Sequence, residues 1–465
     1  MAEFSNKHIH LIGIGGAGLS AIARVLLEQG AKVSGSDLVI SPVAEALARD
    51  GALVYQGHDA ANVNDADLVV VSSAVPEENV EVQAARAAGI AVLGRPAFLG
   101  RMMEGKQGVA VAGTHGKTTT TAMIATILLK AERDPTFIVG GVLADLETNA
   151  RSGAGPLFVI EADEYDHTFL SLEPDLAVIT NVEHDHPDCY PRFDDFRSAF
   201  ESFAALVPEG GTLVVCADDP VAHAIGLSQS EGKSVRFFGV GERAIWRAEE
   251  IRPNFAGGVD FLAVRGEETL GLMRLRLPGA HNAVNAMGAL AAVDALGVPF
   301  RAAQTALTAF RGVARRFEVK GEAGGAVVID DYAHHPTEIQ ATLQAARERF
   351  PERRIWAVWQ PHTYSRTRQL LTEFAASFHD ADRVVVLPIY PARETDTLGV
   401  SAGDVADAVD YVETDVAESL DDAVERLKRA VGSNDVVLTM GAGDGHCVGD
   451  RLLVELRGQN DADEV

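Results

Sequence analysis

The chain predicts an α/β fold of three domains, each a doubly wound, mostly parallel sheet, and three observations predict it. Short apolar runs rich in Val, Ile, Leu and Ala alternate with helix-patterned segments along the whole sequence. That is the pattern of strands buried on both faces. Two of the runs break into glycine-rich turns that open straight into helices, at residues 13–18 and 113–119. The length of 465 residues suits about three domains of ordinary size, each able to bury its own core.

Taken in order, residues 8–14 read as a strand, followed by a glycine turn and an apolar-periodic helix at 19–29. Strands at 32–35 and 68–71 complete a Rossmann-like N-terminal domain, residues 1–107. A second set opens with a strand at 108–112 and a helix at 119–129, with strands at 157–160, 176–180 and 211–216. The polar, alternating stretch near 234–278 suits antiparallel pairing, and an Ala-rich helix at 282–296 closes this P-loop-type central domain, residues 108–312. Strands at 326–330, 355–360, 383–389 and 435–440 build a Rossmann-like C-terminal domain, residues 313–465.

Composition narrows the function classes. A formal net charge of −27 would repel nucleic acid and anionic membranes, so neither is expected as a partner. Cys189, Cys216 and Cys447 are odd in number and far apart, which argues against a disulfide framework and for a reducing compartment. The N-terminus lacks a signal-peptide pattern, and no apolar run approaches the ~18 residues a membrane span needs. The expectation is a cytoplasmic protein without membrane insertion, acting on small molecules as a monomer or weak homodimer.

Gly13-Ile14-Gly15-Gly16-Ala17-Gly18 fits G-x-G-x-x-G between a strand and a helix, with Asp37 about 20 residues on. Glycines there let backbone N–H groups approach a diphosphate at a helix N-terminus, and the acid accepts from ribose hydroxyls. The motif specifies a nucleoside diphosphate better than it specifies nicotinamide. The plain alternative is a tight strand–helix turn without a ligand.

Val111-Ala112-Gly113-Thr114-His115-Gly116-Lys117-Thr118-Thr119 resembles a Walker A loop with Val111 in place of its first glycine. Its N–H groups can wrap phosphates, Lys117 can bridge the β- and γ-phosphates of ATP, and Thr118 can hold Mg²⁺. Two further strands end in acids, as Glu161-Ala162-Asp163-Glu164-Tyr165-Asp166 and Asn181-Val182-Glu183-His184-Asp185-His186. Parallel strands deliver such ends to the rim that carries the loop, where carboxylates suit a hard cation. Imidazole is an unusual Mg²⁺ ligand, so chemistry alone leaves His186 open, and His184 beside it.

These motifs, with Ser72-Ser73-Ala74-Val75-Pro76, Pro278-Gly279-Ala280-His281-Asn282-Ala283-Val284-Asn285, Arg315-Arg316-Phe317-Glu318, Asp330-Asp331-Tyr332-Ala333-His334-His335-Pro336 and Gln360-Pro361-His362-Thr363-Tyr364-Ser365-Arg366, occur in one order along the chain. Together they resemble a Mur ligase. The resemblance implies an N-terminal domain for a UDP-sugar (Gly15, Gly16, Ala17, Gly18, Asp37, Ser72, Ser73) and a central domain for ATP (Gly113, Thr114, His115, Gly116, Lys117, Thr118, Thr119). The C-terminal domain would take the incoming amino acid. It further implies Thr118, Glu161 and His186 as Mg²⁺ ligands, Asn282 and Asn285 at adenine, Arg316 at the γ-phosphate and Asp331 at the ribose. Tyr332, His334, His362 and Arg366 would surround the amino acid and the reacting carboxylate.

Other branches of the family use a carbamylated lysine in the central domain, and this chain has no lysine between Lys130 and Lys233. That matches the alanine-adding branch, whose substrates are UDP-N-acetylmuramate and L-alanine; a branch recycling an intact tripeptide is the alternative. Thr363 stands where many relatives carry arginine, which leaves Arg366 to hold the carboxylate alone. The expected chemistry is phosphorylation of the lactyl carboxylate to an acyl phosphate, assisted by Lys117 and Arg316, then attack by the neutral amine. His334, with an ordinary pKa near neutrality, is the expected base, although a carboxylate or water would also serve. The alternative for the His334-His335 pair is helix capping or packing. A dehydrogenase would leave the 113–119 loop unused, and an ATP-driven switch would leave the C-terminal motifs unused.

Overall fold

The computed structural model describes residues 4–463, with side chains to 458, and three sheets carry the described residues. The chain divides into two compact units. One holds the residues up to Glu183 with Asp194–Trp246 and Ala286–Leu307; the other holds His184–Phe193, Arg247–Asn285 and the residues from Thr308 on.

The first unit begins with β1 (His8–Ile12), β2 (Lys32–Asp37), β3 (Leu53–Gln56), β4 (Leu68–Val71) and β5 (Ala91–Gly94), all parallel in the order β3-β2-β1-β4-β5. The order reverses between β1 and β4, so the turn after β1 and Ser72 after β4 share the switch point where such sheets bind ligands. The packing there is tight. A Cβ on Gly35 would lie 2.5 Å from the carbonyl oxygen of Leu11 and 2.7 Å from Ile14, so only glycine lets β2 pass under the turn.

The same unit continues with β6 (Gln107–Ala112), β7 (Thr136–Leu143), β8 (Thr148–Arg151), β9 (Leu157–Glu161), β10 (Leu176–Ile179), β11 (Thr212–Cys216) and β12 (Ser234–Gly239), ordered β12-β11-β10-β6-β9-β7-β8. All pairings are parallel except the hairpin β7–β8. The register pairs Ala112 with Ile179 and Val111 with Glu161, which sets both acid-bearing strand ends level with the loop after β6. The helix Lys117–Lys130 leaves that loop and is buried from Thr118 to Leu128, fixing the loop to a rigid element.

In the second unit, β13 (Trp246–Pro253) neighbours β14 (Val259–Arg265), which pairs antiparallel with β15 (Glu268–Arg274), as the alternating pattern predicts. The third sheet holds β16 (Glu318–Ala323), β17 (Ala326–Asp331), β18 (Arg354–Trp359), β19 (Arg383–Val386), β20 (Thr414–Val416) and β21 (Asp435–Met440), ordered β16-β17-β21-β18-β19-β20. It is parallel except for β16, an edge strand the sequence reading lacked. Alternate residues feed separate cores: Ile329, Ala357 and Leu438 on one face, Val328, Val358 and Val437 on the other. Burying each of these valine, leucine and isoleucine side chains contributes roughly 1.5–3 kcal/mol. Asp331, Met440 and Trp359 are in register, so the segments after these strands meet at one rim.

Candidate functional site

Two glycine turns and an acidic rim occupy the first unit. In the first turn Gly13 has φ +89° and Gly16 is the N-cap of the helix Ala17–Glu28. The Asp37 carboxylate accepts the N–H of Gly15 at 2.9 Å, and a Cβ on Gly15 would meet it at the same distance. Asp37 therefore shapes the turn as well as standing beside it. Ser72 donates its N–H to Ile12 and accepts from Ala74, while Ser73 is exposed.

The second loop needs its glycines for a different reason. Gly113 (φ +138°) and Gly116 (φ +78°) take conformations that strain other residues, and a Cβ on Gly113 would overlap Thr180. The end of β10 clamps the loop. Thr180 Oγ1 donates to the carbonyl of His115 at 2.6 Å; Asn181 accepts the N–H of His115 at 2.8 Å and donates to its carbonyl at 3.1 Å. Thr114 Oγ1 donates to the carbonyl of Glu183 and accepts its N–H, at 2.7 and 2.8 Å. The His115 ring meets Glu183 at 2.9 Å. Thr114 and His115 thus spend their side chains on the scaffold and offer only backbone to a ligand. Thr180 and Asn181, absent from the predicted site, do the bracing; polar residues at a strand end beside the loop were their sequence signal.

Lys117 lies folded over the loop, donating to the carbonyls of Gly113 and Thr114 and to Glu164 Oε1 at 2.9 Å. Burial alone would lower its pKa, but Glu164, with Glu161 and Asp163 behind it, holds it above the ordinary value, so the ammonium is a permanent charge. Thr118 Oγ1 donates to Glu161 Oε1 at 2.9 Å, and Glu161 Oε2 accepts the N–H of Gly140 at 2.6 Å. A Cβ on Gly140 would come within 2.5 Å of that carboxylate, so the β7–β8 hairpin sets its orientation. A hydroxyl and a carboxylate already together at the head of a phosphate-type loop are the hard oxygen donors that Mg²⁺ prefers, so these residues fit the ion.

The second unit carries the other predicted residues. His186 (φ +55°) donates its N–H to Asp185 Oδ1 at 2.8 Å, whereas His184 is tied through Nε2 to the carbonyl of Tyr190 at 2.8 Å. Arg366, 4% exposed, donates from Nε and Nη2 to Asp185 Oδ1 at 3.0 and 2.8 Å, and from Nη1 to His362 Nδ1 at 3.2 Å. Its charge is neutralised inside the protein, which corrects the expectation of a guanidinium standing ready to grip a carboxylate alone. An arginine cannot accept, so His362 must carry its proton on Nε2. Thr363 (φ +67°) caps the helix Tyr364–Gln369 by accepting the N–H of Arg366. Such backbone costs about 1–3 kcal/mol and persists where surrounding structure enforces it.

His334 donates from Nδ1 to the carbonyl of Tyr332 at 3.0 Å, leaving Nε2 as its acceptor. Burial pushes its pKa down to about 3, only partly opposed by Glu338, and pushes His362 to about 4. The expectation that His334 titrates near neutrality is therefore corrected: its desolvated ring is a neutral hydrogen-bond acceptor. His335 takes the alternative role, capping the helix Pro336–Arg349 through Thr337 N–H.

Arg315 is structural, bonding Asp330 and the carbonyl of Gly441. Arg316 lies over the Tyr332 ring at 5.1 Å with Glu338 at 3.9 Å. Asp331 accepts the N–H groups of Phe317 and Ala333 at 2.7 and 2.8 Å. Burial nevertheless raises its pKa to about 6. Asn282 donates to the Pro278 carbonyl at 2.7 Å and accepts from Asn285 at 3.3 Å.

Three family models match consecutive stretches: "Mur ligase family, catalytic domain" over residues 8–107, "Mur ligase middle domain" over 111–293 and "Mur ligase, glutamate ligase domain" over 315–443. The UDP-N-acetylmuramate–L-alanine ligase of Salinibacter ruber is 46% identical over 447 residues, covering 94% of this chain and 92% of the relative. The crystal structure of UDP-N-acetylmuramate-alanine ligase MurC from Thermotoga maritima is 30% identical with a TM-score of 0.81, covering 98% of this chain and 99% of that one. A murein peptide ligase, Mpl, from Psychrobacter arcticus is 27% identical with a TM-score of 0.71, covering 97% and 99%.

Proposed function

The chain belongs to the Mur ligase family, and from that premise we propose that it joins L-alanine to the lactyl carboxylate of UDP-N-acetylmuramate, converting ATP to ADP and phosphate. This is a cytoplasmic step of peptidoglycan synthesis, carried out by a monomer or weak homodimer. The observation that carries the reading is the loop after β6, where a half-buried lysine and a threonine–carboxylate pair stand together at a helix N-terminus.

In this reading the sugar nucleotide lies on Gly15, Gly16, Ala17 and Gly18 with Asp37, Ser72 and Ser73 around it. The backbone of residues 113–119 wraps the triphosphate of ATP, and Lys117 exchanges Glu164 for phosphate oxygens. Thr118 and Glu161, with His186, would hold Mg²⁺, which supplies charge neutralisation at the phosphates when bound. Asn282 and Asn285 serve adenine, and Asp331 accepts from the ribose. The lactyl carboxylate attacks the γ-phosphorus while Lys117 and Arg316 spread the developing charge; the bond to the β–γ bridging oxygen breaks, ADP leaves and an acyl phosphate forms. The neutral amine of alanine then attacks the acyl carbon, and phosphate leaves.

His334, held neutral with Nε2 accepting, orients the amine by taking one N–H, and His362, held as the Nε2–H tautomer, donates to a carboxylate. Arg366 acts through His362, and Tyr332 supports Arg316. Since neither ring stores a proton near pH 6.5, the amine's proton leaves through water or phosphate. Phosphate release from ATP, measured with UDP-N-acetylmuramate and L-alanine, D-glutamate or the L-Ala–D-Glu–diamino-acid tripeptide, tests the reading. Stimulation by L-alanine alone is expected; stimulation by the tripeptide alone would overturn it.

A further inference from the structure

We infer that Arg95 is a ligand of the sugar nucleotide's diphosphate, and that its partner Asp163 links that site to the triphosphate loop. The inference rests on the proposed reading of residues 13–18 as the sugar-nucleotide site. Arg95 opens the helix Arg95–Met103 directly after β5, and nothing in the motif around residue 13 signals it.

The structure places its guanidinium against the first turn of the helix Ala17–Glu28. A Cβ on Gly18 would lie 2.6 Å from Arg95 Nη1 and 3.0 Å from its Cδ, so glycine at 18 makes room for this side chain. A helix N-terminus carries a partial positive charge and repels cations, so an arginine held there is poorly placed in isolation. An anion on the same turn reverses that sign. The diphosphate, with two charges between the helix end and a forked donor, satisfies both.

Arg95 has donors to spare. Nη2 donates to Asp163 Oδ2 at 3.1 Å and to Thr168 Oγ1 at 3.3 Å. Among the described residues Nη1, the nitrogen facing Gly18, has no hydrogen-bond acceptor. The side chain is 20% exposed, so it is reachable from solvent yet held in place.

Asp163 turns this into a link. It follows Glu161, which bonds Thr118, and precedes Glu164, which bonds Lys117. Its other oxygen accepts the N–H of Tyr165 at 3.1 Å, and its carbonyl accepts that of Phe169, so its position is tied to the whole 161–169 segment. A diphosphate on Nη1 pulls on the same guanidinium whose Nη2 holds Asp163. Filling the sugar-nucleotide site therefore changes the charge seen by the segment that orients Lys117 and Glu161, and the two nucleotides sense each other.

Calorimetric titrations of UDP and uridine into wild type, Arg95→Ala, Arg95→Lys and Asp163→Asn, each with and without a non-hydrolysable ATP analogue, test both parts. Loss of a charge-assisted contact predicts UDP affinity lower by roughly 10- to 100-fold in Arg95→Ala with uridine affinity unchanged. Arg95→Lys should recover part of the loss, keeping the charge without the fork. Asp163→Asn should bind UDP at least as well as wild type while losing the effect of UDP on analogue affinity.

A purely structural bolt would move UDP and uridine together, so an unchanged UDP-to-uridine ratio in Arg95→Ala and Arg95→Lys would overturn the first part. Coupling that survives Asp163→Asn would overturn the second. Failure of UDP to bind the wild-type protein would instead sink the reading of residues 13–18.

Discussion

Glu81 and Asp331 are both buried acids, one in each compact unit, and the protein treats them in opposite ways. Glu81, fully buried on the first turn of the helix Val80–Ala87, accepts from Ser36 Oγ, Asn62 Nδ2, His58 Nδ1 and the N–H of Asp59. Burial would raise its pKa, yet the His10 ring at 3.7 Å and hydrogen bonds from Ser36 and Asn62 carry it down to about 2. Asp331 also has both oxygens bonded, to two backbone N–H groups, yet burial wins and its pKa rises to about 6. A carboxylate satisfied by side chains from three elements is architecture. One left costly at a strand end, in the rim expected to meet a nucleotide, has the strain of a functional group.

The pair Asp185–Arg366 marks the strong limit of compensation and gives the largest expected effect. Despite burial, the Arg366 guanidinium, with His186 and His334 nearby, holds the Asp185 carboxyl well below its usual range. Arg366→Met would leave a buried carboxylate without its cation, a loss of about 3–5 kcal/mol. Chemical denaturation should show that loss, and the double variant Arg366→Met with Asp185→Asn should recover most of it. A single variant within about 1 kcal/mol of wild type would mean that partners do not decide the fate of these acids.

Glu81→Gln is next in size, with an expected loss of roughly 3 kcal/mol at pH 7. The folded pKa of about 2 lies below the ordinary value of 4.5, so the stabilisation is present above 4.5 and is lost as pH falls toward 2. Denaturation midpoints of wild type and variant should therefore converge on acidification. A gap that stayed constant from pH 7 to pH 3 would assign the loss to packing instead of charge.

The fold was legible because strand and helix periods differ and because parallel strands carry a dense apolar signature; β17 and β21 are buried along their whole lengths. Both glycine turns were legible through chain order alone, since strand, turn and helix are local. The remaining features depend on distance along the chain. Asp185 and Arg366 are separated by 181 residues, and Arg95 reaches Asp163 across 68. No periodicity announces such pairs. The basicity of His334 is not legible either, because a sequence shows the imidazole and hides its burial. Gly140 reads as an ordinary strand glycine until the Glu161 carboxylate is seen resting on its N–H.

Asp331→Asn gives the smallest effect and the one that changes sign. The folded pKa of about 6 lies above the ordinary 3.8, so this group's contribution to stability is present below 3.8 and is lost as pH rises through 6. At pH 7.5 the wild-type protein holds a buried charge that the amide removes, a gain of about 3 kcal/mol. Against this, an amide has one acceptor and must turn its NH₂ toward the N–H of Phe317 or Ala333, a loss of about 1 kcal/mol. The variant should therefore be the more stable protein at pH 7.5 by about 2 kcal/mol and the less stable one below pH 4, while under the proposed reading ligase activity falls because the ribose loses one of two acceptor oxygens. Thermal unfolding of both proteins across that range decides the matter. Curves that never cross would place Asp331 with Glu81, as an acid whose hydrogen bonds fully offset its burial.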